Sequence, residues 1–132
     1  MSPSEAREIL ETEWDVLDAL WTLGRGTARE LTEALAERRG WAYSTVKTML
    51  DRMVDKGLVK GRQVGTVWEY ASAIPRGKAQ WWAWLRFVDV AFKGAASPAL
   101  GFAAKQTRLT KKQREELRAL LGEVEKGEGG DE

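Results

Sequence analysis

The chain has 132 residues, a formal net charge of +1, an ordinary 43% hydrophobic content, and neither cysteine nor histidine. That length fits one domain, or a small domain with an appendage, and the missing residues exclude a disulfide framework, a thiolate or imidazole metal site and the commonest general base. No apolar run approaches membrane-spanning length, the N-terminus alternates charges instead of forming a signal peptide, and no pair of carboxylates, lysines or tyrosines has a context that suggests catalysis; the expectation is a cytoplasmic, cofactor-free protein that is not an enzyme and does not engage a membrane.

The charge is unevenly spread. Glu5, Glu8, Glu11, Glu13, Asp15 and Asp18 against Arg7 give the first segment a balance of −5. Arg38, Arg39, Lys47, Arg52, Lys56, Lys60 and Arg62 against Asp51 and Asp55 give a later one +5. A local basic footprint on a near-neutral chain suits a polyanion contacted by one face, although chance clustering on a charge-rich surface would produce the same pattern.

Ser2-Pro3-Ser4-Glu5 has the pattern of a capping box with proline in the first turn. Leu10, Trp14, Leu17 and Trp21 then keep helical spacing up to Gly24. Thr27-Ala28-Arg29-Glu30 is a second capping box, opening a helix that buries Leu31, Ala34 and Leu35 and ends by Gly40. In the third helix, 43–56, Val46, Met49, Leu50 and Met53 form an apolar stripe. Its other face carries Ser44, Thr45, Lys47, Thr48 and Arg52: hydroxyls that can bond base edges and cations that reach phosphates. Gly57 falls at the expected left-handed cap. Leu58 to Gln63 and Val67 to Ser72 read as two strands turning at Gly65. Three short helices and a hairpin predict a mainly α fold with a small β-hairpin, a winged helix-turn-helix over residues 1–76.

Residues 77–126 read as a separate helical region. Trp81, Leu85, Val88 and Phe92 follow helical spacing, with Trp82, Trp84 and Phe87 on other faces. Ser97-Pro98 can restart a short helix through Phe102. Thr110 to Gln113 is a further capping box, followed by a stripe of Leu117, Leu120, Leu121 and Val124. This surplus of apolar surface predicts self-association, while packing of the tryptophans on the preceding domain is the simpler alternative. Residues 127–132 are predicted to be a disordered tail.

Three segments together, Glu13 to Trp21, Thr27 to Leu31 and Trp41 to Gly57, resemble the BlaI/MecI/CopY family of penicillinase-type repressors. The resemblance is strong from Glu13 to Tyr70 and continues more weakly through Phe92-Lys93-Gly94 and Leu109 to Leu121. It implies a bacterial homodimer whose recognition helices enter the major grooves of an inverted-repeat operator. By position, Ala28, Arg29, Tyr43, Ser44, Thr45, Lys47, Thr48, Arg52, Arg62 and Thr66 would lie toward DNA. Thr48 is the candidate base contact, Lys47 and Arg52 are candidates for phosphates, and Ala28 and Arg29 open a helix whose N-terminus favours phosphate.

The chain departs from the family at three points. Thr66 follows the wing glycine where many members carry a basic residue, so phosphate contact by the wing is expected to be weak or shifted to Arg62. Without cysteine, the copper-sensing mode is excluded. Antibiotic-responsive members are inactivated by a regulatory protease at an Asn-Phe bond, and the corresponding pair here is Gly101-Phe102. The rival reading is a winged helix that docks proteins without sequence-specific DNA binding.

Overall fold

The computed structural model describes residues 7–131, with side chains as far as 123. It forms two compact units, one closing at Gly94 and the other opening at Ala95.

In the first unit, α1 spans Glu11–Leu23. Its start is set by Glu13, whose Oε1 accepts the Leu10 N–H at 2.9 Å; the box expected at Ser2–Glu5 lies outside the described residues. The buried face is Val16, Leu17 and Leu20, whereas Leu10 is exposed and Trp14 and Trp21 only pack against the core edge. The predicted stripe is therefore rotated. An indole carries a polar N–H that needs a partner when it is covered. Trp21 meets that need at the core boundary, donating Nε1–H to the Ile74 carbonyl at 3.0 Å and to Ser72 Oγ at 3.1 Å.

A two-residue strand β1, Gly26–Thr27, leads into α2, Ala28–Ala34. The Thr27-Glu30 capping box forms as expected: Thr27 Oγ1 accepts the Glu30 N–H at 3.1 Å, and Glu30 Oε1 accepts the Thr27 N–H at 2.9 Å. Helix α3 runs Tyr43–Asp55 and buries Val46, Leu50 and Met53. It ends in a Schellman turn. The Leu58 N–H bonds the Met53 carbonyl at 2.9 Å and the Gly57 N–H bonds Val54 at 3.0 Å. Gly57 takes φ +78°, a conformation in which a Cβ would be strained.

Strands β2, Val59–Val64, and β3, Val67–Ser72, make the hairpin, with Arg62 opposite Glu69 and Gly61 opposite Tyr70. The sheet order is β1-β3-β2, all antiparallel. Sequence reasoning missed β1, which is too short to carry a period of its own and exists through its pairing with β3.

Helix α4, Arg76–Phe92, belongs to this unit. Ala79 and Trp82 lie within the same core cluster as Leu17, Leu31 and Leu50, and Leu85 packs against it. The compact unit therefore continues past the boundary expected at 76. The residue facing the core is Trp82, while Trp81 is 45% exposed. Val88 is buried and Phe92 half-buried within one chain, so of the predicted stripe Trp81, Leu85, Val88 and Phe92, Trp81 alone is well exposed. Phe87 and Val90 join it on the surface.

The second unit comprises α5, Ala96–Gln106, and α6, Lys111–Asp131. The Thr110-Gln113 box forms, with its two reciprocal bonds at 3.0 and 3.1 Å. Among the described side chains of this unit Ala99 is the one that is buried. Leu100, Phe102, Leu117, Leu120 and Leu121 are exposed, and the Val124 side chain lies outside the described residues. The backbone of α6 remains helical to Asp131, in place of the disordered tail expected from residue 127. Glu125, Lys126 and Glu128, good helix formers, alternate there with the glycines that motivated the opposite expectation.

Candidate nucleic-acid interface

The stripe of Val46, Leu50 and Met53 fixes the rotation of α3 about its axis. Ser44, Thr45, Thr48 and Arg52 consequently form an exposed ridge. Thr48 Oγ1 donates to the Ser44 carbonyl at 2.9 Å. Its hydrogen is committed inward, so the hydroxyl presents acceptor lone pairs outward, beside a methyl group. The exposed Thr45 hydroxyl makes no hydrogen bond among the described residues. Arg52 makes no ion pair among the described residues.

Beside this ridge, α2, α3 and the hairpin enclose a groove of about 340 Å³ lined by Ala28, Arg29, Tyr43, Lys47, Thr66 and Trp68 among others. Five of the residues expected to face DNA, from three different elements, thus meet in one place. Trp68, which sequence reasoning did not assign to the site, shares it. The signal was available: Trp68 lies two residues from Tyr70 on the same strand face, next to the turn.

Three expectations change. Ala28 is 5% exposed and belongs to the core, so it offers the groove almost no surface. The N-terminal end of α2 is occupied by the Glu30 carboxylate, which bonds the Thr27 N–H. An acid at that position satisfies a helix-end donor and repels phosphate, which leaves the exposed Arg29 side chain, with no ion pair among the described residues, as the cation at this helix end. Arg62 does not line the groove. It pairs with its cross-strand neighbour Glu69 at 3.4 Å, on the opposite face of the hairpin.

The basic segment is also less available than its composition implies. Arg38 pairs with Asp15 at 3.1 Å, Arg39 with Asp15 at 2.5 Å and Lys56 with the buried Glu13 at 2.6 Å. Lys47 pairs with Asp51 at 2.8 Å. Much of the +5 segment is thus spent on the −5 segment of α1, holding the helices together. Arg29, Arg52, Arg25 and Lys60 form no ion pair among the described residues.

Asp51 first, then the Tyr70 hydroxyl, holds the Lys47 ammonium above the ordinary lysine range. Among the described residues no group of three or more carboxylates could hold a metal ion, and no helix is long and apolar enough to cross a membrane.

A short first helix, a helix-turn-helix and a three-stranded wing define a winged-helix protein of the DNA-binding, transcription-regulating class. The penicillinase repressor family model matches residues 9–123, and the chain belongs to that family of repressors. It is similar to the methicillin resistance regulatory protein MecI of Mammaliicoccus sciuri, 26% identical over 115 residues, covering 86% of this chain and 93% of that protein. It is likewise similar to the penicillinase repressor of Staphylococcus aureus, 24% identical over 119 residues, covering 90% and 94%. A match to an uncharacterised 16.5 kDa protein of Latilactobacillus sakei is 36% identical over 72 residues and spans 49% of that protein. Among solved structures, the monomer of Bacillus licheniformis BlaI in complex with the blaP half-operator is similar at TM-score 0.49 and 25% identity, covering 55% of this chain and 89% of that one.

Proposed function

We propose that this repressor is a homodimer that reads an inverted-repeat operator, one α3 in each major groove. The observation that carries this reading is the convergence of α2, α3 and the wing on one groove, bordered by the hydroxyl-and-arginine ridge of α3. Thr48 reads a base edge. With its hydrogen bonded to Ser44, it suits an adenine or cytosine amino group, or a thymine methyl. Arg29 and Arg52 hold phosphates and set the register. Tyr43, Ser44, Thr45 and Thr66 line the approach. The exposed Leu117, Leu120 and Leu121 of α6 supply the subunit contact, together with Trp81.

Release comes from loss of the dimer, since two half-sites are held jointly only while the subunits stay linked. A regulatory protease acting at Gly101-Phe102 would accomplish this. Both residues lie in α5, which has no side-chain cap at its N-terminus and carries a glycine in its middle. Those features lower the cost of the local unwinding that cleavage requires.

Gel-shift titration against an inverted-repeat operator and a scrambled duplex, at several salt concentrations, tests the reading. Four phosphates, from Arg29 and Arg52 of two subunits, give a slope of log affinity against log salt of about −4. Equal affinity for both duplexes would reject sequence reading. A slope near zero would favour a protein-docking winged helix.

A further inference from the structure

We infer that Asp51 is a specificity-determining residue, which keeps Lys47 off the DNA backbone by binding its ammonium between α3 and the wing. The inference rests on the DNA-reading function proposed above.

Lys47 Nζ donates to Asp51 Oδ1 at 2.8 Å, one helical turn on, and to the Tyr70 hydroxyl at 2.7 Å, across from β3. Two partners on two elements fix the ammonium more tightly than a single surface pair would. Tyr70 cannot give way, because its ring is 3% exposed and part of the core. It lies flat over β2 because its cross-strand neighbour is Gly61, where an added Cβ would come within 3.2 Å of Tyr70 Cε1. The chain thus makes room for the ring that brings a hydroxyl to Lys47. The pairing favours the charged lysine, so the bridge persists at neutral pH.

A lysine on a recognition helix ordinarily adds a sequence-independent phosphate contact, which tightens operator and random DNA alike. Here that charge is engaged inside the protein. The outer ridge then dominates binding, and non-specific affinity stays low without loss of the helix–wing contact. Specificity is a difference of affinities, and weakening the wrong complex raises it as effectively as strengthening the right one.

The test measures salt slopes on operator and scrambled duplexes for full-length Lys47→Met, Asp51→Asn, their double variant, Tyr70→Phe, and Asp55→Asn with and without Lys47→Met. Asp55 is a second acid on α3, outside the bridge. Lys47→Met alone is expected to leave both slopes unchanged. Asp51→Asn should steepen the slope on scrambled DNA by about 0.9 for each recognition helix, and the operator-to-scrambled affinity ratio should fall. The double variant should lose that steepening. Asp55→Asn should tighten binding equally with Lys47 present or replaced. Tyr70→Phe, which keeps the ring, should give an intermediate steepening while melting near the parent temperature. A flattening of about 0.9 per helix in Lys47→Met, or full steepening by Asp51→Asn in the absence of Lys47, would overturn the inference while leaving the DNA-reading function intact. Absence of salt-dependent DNA binding in the parent protein would overturn both.

Discussion

The two compact units treat apolar surface in opposite ways. In the unit closing at Gly94, apolar side chains from α1, α2, α3, the sheet and α4 share one core, with Leu17, Leu31, Val46, Leu50 and Met53 at zero exposure. In the unit opening at Ala95, Ala99 is the buried side chain among those described, and five large apolar residues face outward. The first unit can stabilise itself. The second has too little interior to offset the conformational entropy of ordering two helices, and its exposed leucines have the character of half an interface. The self-supporting core and the groups proposed to face DNA therefore reside in one unit, and the leucines proposed for the subunit contact reside in the other, joined by the exposed Trp81 of the first.

The largest expected effect breaks this comparison at its boundary. A chain ended after Arg76 loses Ala79 and Trp82 from the core and is expected not to fold, whereas one ended after Gly94 should remain folded and monomeric. In the full chain Trp82→Ala should cost about 3–5 kcal/mol, against less than about 0.5 kcal/mol for Trp81→Ala in the separated monomer. Chemical denaturation of the four proteins measures this. Cooperative folding of the chain ended at Arg76 would return the unit boundary to the place the sequence indicated.

That boundary also shows where the sequence was legible. Local signals were read correctly: the boxes at Thr27 and Thr110, the stripe of α3, the cap at Gly57 and the turn at Gly65. Each depends on residues within a few positions of one another. Choices settled by distant partners were not legible. Trp81 and Trp82 are adjacent and equally apolar, so which one faces the core depends on how α4 meets α1. Arg38, Arg39 and Lys56 counted as a basic footprint until their partners on α1, 23 to 43 residues away, came into view. The Lys47–Asp51 pair was readable from its i, i+4 spacing. The Tyr70 hydroxyl that completes the bridge was not.

A second break targets the other unit. Leu120→Asp with Leu121→Asp places two charges on an exposed apolar stripe and should abolish the dimer, measured by light scattering, with the melting of the unit ending at Gly94 unchanged. Operator affinity should fall by roughly 10²- to 10⁴-fold as the linkage between half-sites is lost. Retention of a dimer of full operator affinity would mean that the exposed leucines of α6 serve another purpose.

A smaller effect sharpens the functional side of the comparison. Thr48→Ala removes a hydroxyl that contributes nothing to the core, so stability should be unchanged within about 0.5 kcal/mol. Specific affinity should fall by about 1–3 kcal/mol, and affinity for scrambled DNA should barely move. Arg52→Ala should instead weaken both DNAs together. Equal losses in both variants on both duplexes would remove the distinction between base and phosphate contacts on the ridge.

The smallest expected effect is that of pH. Lys47 is raised above its ordinary value by Asp51 and Tyr70. A group with a raised folded pKa contributes stability that is complete below its unfolded value and is lost as pH rises through the folded one. For a lysine that window opens only above about pH 10. The chain holds no histidine, the one side chain whose ordinary titration falls between pH 5 and 8. Operator affinity at constant ionic strength should therefore vary by less than about twofold from pH 6 to 8.5, and the Lys47 bridge should persist throughout. Anisotropy titrations across that range check it. A distinct step near pH 7 would show that a group other than Lys47 titrates within the interface, and the ridge of α3 would then not be its only determinant.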